Sequence, residues 1–210
     1  MLKAEGGRKK RRKAEGGRRK EKKAKVESRK ANTNHELRGN KMKMKTETIK
    51  KYLVNCLLLM VPIILWNVFL IDKLPHHYQP DLFWKDIPVW LKHAENISRV
   101  LVFMLTMLMP LNISTVTQKR GLILYGVGVI VYFASWLVLI YCPDSGWSST
   151  ISGFMAPAYT PLLWLTGIGL IGNSFYFNLP YRRWVFILIS VIFLVFHNWH
   201  TLIVFFRTVM

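Results

Sequence analysis

The chain has 210 residues, 51% of them hydrophobic, and a formal net charge of +19 from 30 Lys and Arg against 11 Asp and Glu. The charge and the hydrophobicity are separated along the sequence. Residues 1–50 hold 20 of the basic and 6 of the acidic residues, a net charge of +14, whereas the long apolar runs lie after Lys51. Continuous apolar runs exclude a soluble domain built from amphipathic helices and indicate a basic tail joined to a membrane-embedded body.

The tail contains a decaying ten-residue repeat: KAEGGRKKRR, KAEGGRRKEK and KAKVESRKAN between Lys3 and Asn32. Such a polar segment buries too little apolar surface to offset the entropy of ordering, so residues 1–43 are predicted to be disordered and residues 44–210 to form the membrane domain. Three interpretations stay open: a solvated extension, a segment outside the natural product because translation starts at Met42 or Met44, or a polybasic arm for anionic lipids. Since no aromatic residue interrupts its charges, nucleic acid is not expected as a partner.

Five apolar blocks approach or reach the roughly 20 residues that a helix needs to cross the hydrocarbon of a bilayer. Because a lipid-exposed backbone must satisfy its own hydrogen bonds, these continuous blocks predict helices. The fold class is therefore all-α, a polytopic transmembrane helical bundle. The first block is too long for a cleaved signal peptide and is expected to stay as an anchor. The predicted spans are residues 52–71, 97–116, 122–141, 154–177 and 184–206.

Basic pairs in the short connections predict the orientation. These pairs are Lys50–Lys51, Lys119–Arg120 and Arg182–Arg183, whereas residues 143–153 contain no Lys or Arg. The positive-inside rule then places the amino terminus in the cytoplasm and the carboxyl terminus outside, in what we expect to be a bacterial cytoplasmic membrane. Four basic residues between positions 72 and 99 oppose this orientation, but the agreement of the three pairs outweighs them.

The segment after the first block predicts a short helix that lies in the outer interface. In LFWKDIPVWLKHA, residues 82–94, the apolar residues recur at helical spacing and the charges face elsewhere. Trp84 and Trp90 are the expected anchors at the head-group level. Docking of this helix on a soluble partner is the alternative.

Small residues in the third and fourth blocks predict a close helix contact. Gly121, Gly126 and Gly128 are expected to face a stripe of Thr166, Gly169, Gly172 and Asn173. GIGLIG at 167–172 matches a dinucleotide-binding fingerprint only by letter, because it lies inside an apolar helix. Upstream, Pro157 and Pro161 predict either a plain kink or a break whose free carbonyls line a cavity.

The sequence HNWH in the last block carries the strongest chemical signal. His197 and His200 lie one helical turn apart, and ionisable groups at membrane depth usually face the bundle interior. Polar residues of other blocks reach a similar height, and two acids lie at the outer mouth. They predict an outward-facing polar pocket, with structural hydrogen bonding between helices as the alternative. The candidate ligand-binding residues are His197, His200, Asn198, Asn67, Tyr159, Asp144 and Asp72.

No cofactor is predicted, and no metal site is predicted either. His197 and His200 provide two ligands, but a third would have to come from the mouth of the pocket, and HEXXH is absent. Cys56 and Cys142 are placed at different depths and are not expected to pair.

Function is the least determined property. Motifs for nucleophilic catalysis are absent, and the five acids after Lys51 lie outside the predicted spans. The preferred hypothesis is a non-enzymatic binding or accessory protein that takes a lipid, a small molecule or a partner from the outer side. The first alternative is an intramembrane lipid-modifying enzyme that uses His197 and His200 as acid and base, oriented by Asp72 or Asp144. The second is a small transporter that acts as a homo-oligomer.

Overall fold

A computed structural model of the chain describes residues 41–44, 53–177 and 180–209. The chain divides into two units, Met1–Lys50 and Lys51–Met210, at the same point as the break in composition. In the first unit, residues 41–44 form a helical turn. The predictions for the rest of the tail and for the pair Lys50–Lys51 lie outside the described residues.

In the described part of the second unit the regular elements are all helices, and one isolated bridge joins Asn55 and Pro110. A 3-10 turn, Cys56–Met60, runs into α1 (Val61–Leu70), which continues as a 3-10 turn, Ile71–Lys73. A third such turn, His76–Tyr78, precedes α2 (Pro80–Phe83), α3 (Val89–Leu108) and α4 (Val116–Tyr141). The remaining elements are α5 (Ile151–Phe154), α6 (Ala156–Tyr159), α7 (Pro161–Ile171) and α8 (Arg183–Val209).

Three helical stretches of the described residues are long and apolar enough to cross a membrane: Cys56–Lys73, Val116–Tyr141 and Arg183–Thr208. The apolar stretch Ala156–Ile171 is shorter. α3 is long, with 20 residues, but it carries Lys92, Glu95 and Arg99. The prediction of a helical chain with several helices that could cross a membrane is therefore confirmed at this coarser level for the described residues.

The second predicted span has the wrong bounds. Its helix, α3, begins at Val89 after Pro88 and ends at Leu108, whereas the sequence predicted residues 97–116. α4 then begins at Val116 with a capping box. The Thr115 hydroxyl accepts a hydrogen bond from the Gln118 backbone N–H, and the Gln118 side chain accepts one from the Thr115 backbone N–H. The predicted interfacial helix at 82–94 is divided between α2 and the first turns of α3, because Pro88 breaks it and Asp86 adopts a φ of 52°.

Close approach of α4 and α7 depends on glycine, but only in part on the glycines that were predicted. A Cβ atom on Gly128 would lie 2.5 Å from the backbone nitrogen of Trp164, and one on Gly167 would lie 2.6 Å from that of Tyr125. Gly126 has nothing within 4 Å, and Gly169 faces Phe186 and Ile187 of α8. The predicted stripe through Gly169 is therefore not the α4 contact, which is made by the face that contains Gly167.

Two hydrogen bonds bring the starts of α4 and α8 to the same end of the second unit. Gln118 Nε2 donates to the Ile171 carbonyl at 3.0 Å, and Arg183 Nε donates to the Gly172 carbonyl at 3.2 Å. Both acceptors lie where α7 ends. The basic residues Lys119, Arg120 and Arg183 therefore share one end of the helix bundle.

Two separate apolar clusters form the core. One includes Val102 and Leu194, and the other includes Leu91 and Val204. α3 and α8 pass through both clusters, and the stretch of each helix between them carries buried polar side chains. The fold thus places these polar groups at the junction of two apolar regions.

Candidate functional site

Glu95 lies at the centre of the polar junction and is completely buried, although it is one of the five acids that the sequence placed outside the predicted spans. Its helix, α3, buries one face at helical spacing: Leu91, Glu95, Ser98, Val102 and Thr106. If the helical spacing is counted from Leu91 into the apolar block, Glu95 falls on the same buried face. The error came from beginning the span at residue 97.

The Glu95 carboxylate binds side chains from two helices. Its Oε2 lies 2.6 Å from His200 Nδ1, and its Oε1 lies 3.0 Å from His197 Nδ1. Arg99, one turn further along α3, donates from Nη2 to Oε1. The predicted histidine pair therefore faces one acid, and this acid is Glu95 rather than Asp72 or Asp144.

His200 has no side-chain surface left for a ligand. Its Nε2 donates to the Phe83 carbonyl at 3.0 Å, its Nδ1 is bonded to Glu95, and the residue is 0% exposed. The rings of Phe83 and Trp84 lie over it, with centroids at 4.2 and 4.6 Å. Because both ring nitrogens are hydrogen-bonded, His200 is better placed to hold the Glu95 carboxylate than to contact a ligand directly.

His197 differs from His200 in what it leaves free. Its side chain is 22% exposed, its Nδ1 is bonded to Glu95, and its ring stacks on Phe193 at 5.5 Å. Nε2 has no hydrogen-bond partner among the described residues, and His197 lines a cavity. Because the Nδ1 proton points at the carboxylate, a neutral His197 carries its lone pair on Nε2.

The cavity has a volume of about 370 Å³ and lies between α1, α3, α4, the α6–α7 break and α8. Four polar side chains reach its wall: Asn67, Arg99, Tyr132 and His197. The Tyr132 hydroxyl donates to Asn67 Oδ1 at 2.7 Å, so these two groups satisfy each other. Apolar walls include Met60, Ile63, Val102, Leu165 and Phe193.

Pro157 and Pro161, the two prolines of the predicted break, also line this cavity. Each stands in the first turn of a short helix, α6 or α7, so the helical hydrogen bonding is interrupted there, although Thr160 between the two helices keeps α-helical dihedral angles. Asn198 Nδ2 donates to the Ala158 carbonyl in this segment at 3.1 Å and to Leu194 at 2.7 Å. Asn198 therefore ties α8 to the break and does not line the cavity.

Three other candidate residues lie away from the cavity wall. The Tyr159 hydroxyl donates to the Ser152 carbonyl at 3.1 Å, and the residue is 41% exposed. Asp72 and Asp144 are exposed, and within the described part of the chain neither forms an ion pair with a histidine. Of the seven predicted residues, the structure brings Asn67 and His197 to the cavity and His200 to its supporting cluster.

The two tryptophans predicted as interface anchors have different surroundings. Trp84 is half-buried, packs on His200, and lies 6.0 Å from the Arg99 guanidinium. Trp90 is 52% exposed and meets Trp199 edge to face at 5.2 Å. Trp84 thus covers the polar cluster, while Trp90 is placed on the surface as an interfacial anchor would be.

The described residues contain no group of three His, Cys, Asp or Glu side chains suited to a metal ion. The nitrogens of His200 are both committed to oxygen atoms, which explains why the Glu95 cluster is not such a group. Cys56 and Cys142 are both free.

The geometry therefore gives an apolar cavity whose polar end is formed by His197 and Arg99, both held by a buried carboxylate. Comparison with known proteins adds no further constraint, because no family model, no curated protein and no solved structure matches this chain.

Proposed function

We propose that the chain is a five-span membrane protein that binds an amphipathic ligand in the cavity between its helices. α3 and the interrupted segment from α5 to α7 supply the two further spans. Two charges inside α3 are compatible with this placement, because Glu95 pairs with Arg99 and with His200 of α8, while Lys92 lies near the start of the helix. Intramembrane charges that face the bundle interior typically mark a binding or transport path.

The proposed orientation keeps the amino terminus in the cytoplasm. Lys119, Arg120 and Arg183 lie at one end of the bundle, and the positive-inside rule assigns that end to the cytoplasm. His197 lies about 20 Å along α8 from Arg183, at about 1.5 Å per residue. The polar end of the cavity then belongs to the outer half of a bacterial cytoplasmic membrane.

The observation that carries this proposal is the pairing of an apolar cavity with a polar group that has unused bonding capacity. A volume of about 370 Å³ is within the roughly 300–1,000 Å³ that small-molecule sites occupy. Ile64 lines the cavity and is 40% exposed on α1, so the cavity reaches the surface that faces lipid in this arrangement. Access from the bilayer favours an amphiphile over a water-soluble ligand.

A cavity-filling substitution tests the proposal. Val102→Phe adds volume where a 2% exposed side chain lines the cavity, and Val100→Phe makes the same change on the outside of α3, where Val100 is 55% exposed. We expect mass spectrometry of protein purified from membranes to find a bound amphiphile in the parent and in Val100→Phe, but not in Val102→Phe. Overpacking at Val102 should cost about 1–3 kcal/mol, so folding is checked by thermal unfolding.

Retention of the same bound molecule by a folded Val102→Phe protein would contradict binding in this cavity. The same conclusion follows if the parent carries no bound molecule and gains no thermal stability from any added amphiphile.

A second candidate function, an intramembrane esterase, is favoured by one feature: Glu95 holds Nδ1 of His197, a residue that lines the cavity, and so leaves its Nε2 available as a base. In this reaction Nε2 takes a proton from water as the water oxygen attacks an ester carbonyl. The ester C–O bond breaks, and the proton passes to the departing alkoxide, which leaves a carboxylic acid and an alcohol.

Release of fatty acid from a phospholipid ester, measured in the parent and in His197→Gln, tests this second function. Hydrolysis that depends on His197 would establish it. A rate equal to that of empty nanodiscs would rule it out and leave the binding function standing.

A further inference from the structure

We infer that the group bound at the polar end of the cavity is an anion, a carboxylate or a phosphate, and that Arg99 binds it. This inference rests on the proposed function and specifies the chemical class of its ligand. It follows from the charge of the cluster, from the donors that the cluster leaves free and from the position of Arg99.

The charge of the cluster is positive wherever its shared proton lies. His200 Nε2 faces a carbonyl oxygen, which only accepts, so Nε2 carries a proton. One further proton lies between His200 Nδ1 and Glu95 Oε2, 2.6 Å apart. Whether the nitrogen or the oxygen holds this proton, His200 and Glu95 together are neutral. Arg99 stays protonated, so the cluster has a net charge of +1 when His197 is neutral.

No other acid in the described part of the chain offsets this charge. Glu95 is the acid to which Arg99 is bonded. The other four acids of this part, Asp72, Asp81, Asp86 and Asp144, are exposed and form no ion pair with Arg99 among the described residues. An uncompensated charge beside apolar walls is costly, and an anionic ligand removes that cost.

Arg99 is held in place but has donors to spare. Its guanidinium lies 6.0 Å from the Trp84 ring and 5.6 Å from the Phe193 ring. It donates to Glu95 and, at 3.3 Å, to Asn96 Oδ1, which uses two of its five N–H groups. The side chain is 35% exposed, so an anion can approach the remaining donors. A fixed guanidinium with free donors suits a carboxylate or phosphate.

The cavity wall holds a further free donor besides those of Arg99. Trp164 lines the cavity, is 6% exposed, and its indole Nε1 has no acceptor in the part of the chain that the structure describes. Asn67 Oδ1 is occupied by the Tyr132 hydroxyl. A ligand that supplies acceptor oxygens would therefore meet free donors from Arg99 and Trp164.

Three probes distinguish the ligand classes by thermal unfolding in phosphatidylcholine nanodiscs, because a ligand of the native state raises its stability. Dodecyl phosphate carries the anion and an apolar chain, dodecanol carries the chain alone, and inorganic phosphate carries the anion alone. We expect dodecyl phosphate to stabilise the parent more than dodecanol at equal concentration. Inorganic phosphate as effective as dodecyl phosphate would support the anion site and identify its source as a free anion.

The matched variants are Arg99→Gln and Arg120→Gln. Each removes one positive charge, but Arg120 is exposed near the start of α4 and does not line the cavity. Arg99→Gln should weaken dodecyl phosphate binding at least about tenfold, whereas Arg120→Gln should leave it unchanged.

Equal stabilisation of the parent by dodecyl phosphate and dodecanol, both abolished by Val102→Phe, would overturn the anion inference while the cavity still binds. This comparison needs no change at Arg99, so it holds even if Arg99→Gln does not fold. If none of the three probes stabilises the parent, the proposed function fails and the anion inference fails with it.

Discussion

Two helix pairs of the second unit are each bridged by one buried polar side chain. The two bridges differ in how many hydrogen-bonding groups around that side chain lack a partner among the described residues. Between α4 and α7, Gln118 is 0% exposed and donates to the Ile171 carbonyl at 3.0 Å. Between α3 and α8, Glu95 is also 0% exposed and binds His197 and His200. Both bridges are polar and buried, so neither property by itself marks a functional group.

We call the Gln118 bridge closed, because both polar atoms of its side chain have hydrogen-bond partners. Its Oε1 accepts the backbone N–H groups of Ser114 and Thr115 at 3.0 Å each, and its Nε2 is committed to Ile171. One turn along α4, a Cβ on Gly121 would lie 2.9 Å from the backbone oxygen of Gly167 and 3.1 Å from the backbone nitrogen of Ile171. Both polar atoms of the Gln118 side chain therefore have partners, and the two helices are in backbone contact beside them.

We call the Glu95 bridge open, because some hydrogen-bonding groups around Glu95 have no partner among the described residues. His200 closes one end of it, but His197 Nε2 and three N–H groups of Arg99 have no partner among the described residues. Both residues, His197 and Arg99, line a cavity. The difference shows that unused bonding capacity beside empty volume, more than burial of a charge, separates a binding site from structural hydrogen bonding.

Removal of the open bridge should have the largest effect on stability. Glu95→Ala leaves His200 Nδ1 and the Arg99 guanidinium without their acceptor, and breaking a buried ion pair in this way costs about 3–5 kcal/mol. We expect a loss of that size in the free energy of unfolding measured in mixed micelles. Glu95→Gln keeps one acceptor oxygen and should lose less.

Asp144→Ala is the matched control, because it removes an exposed acid and should change stability by no more than about 0.5 kcal/mol. A Glu95→Ala protein as stable as this control would mean that the cluster does not hold α3 to α8.

The sequence was sufficient for the part of the site that lies on one helix. His197 and His200 were predicted to share a face of the last span, and both contact Glu95. Asn67 was predicted to reach their height, and it lines the same cavity as His197. These predictions needed only the 3.6-residue period and the rise per residue.

The helical period and the rise per residue could not identify which residues of other helices contact the two histidines. Glu95 was missed because the span was begun after it, and Asp72 and Asp144 were favoured only because they lie near the predicted mouth. The packing glycine, Gly167, differs from the predicted Gly169 because one face of α7 turns to α4 and another to α8. Which face meets which neighbour is a property of the whole bundle, and a single sequence does not encode it locally.

The closed helix pair can be tested by adding a single methyl group. Gly128→Ala would place a Cβ 2.5 Å from the Trp164 nitrogen, so α4 and α7 must separate, at a cost of about 1–3 kcal/mol. Gly126→Ala is the control on the same helix, since nothing lies within 4 Å of its Cβ position. There alanine should stabilise by up to about 1 kcal/mol through its helix propensity. Equal unfolding free energies for the two variants would contradict the tight contact.

The smallest expected effect on stability is that of a substitution at Gln118. It separates the two bridges most directly, because it should lower stability without changing ligand binding. Gln118→Ala removes the side-chain half of the capping box of α4 and the bond to Ile171, at a cost of about 1–2 kcal/mol. Since Gln118 does not line the cavity, the stabilisation by dodecyl phosphate should equal that of the parent. Gln79→Ala, at an exposed position, provides the stability control. If Gln118→Ala abolished the effect of dodecyl phosphate while the protein stayed folded, the closed bridge would be coupled to the cavity and the distinction between the two helix pairs would fail.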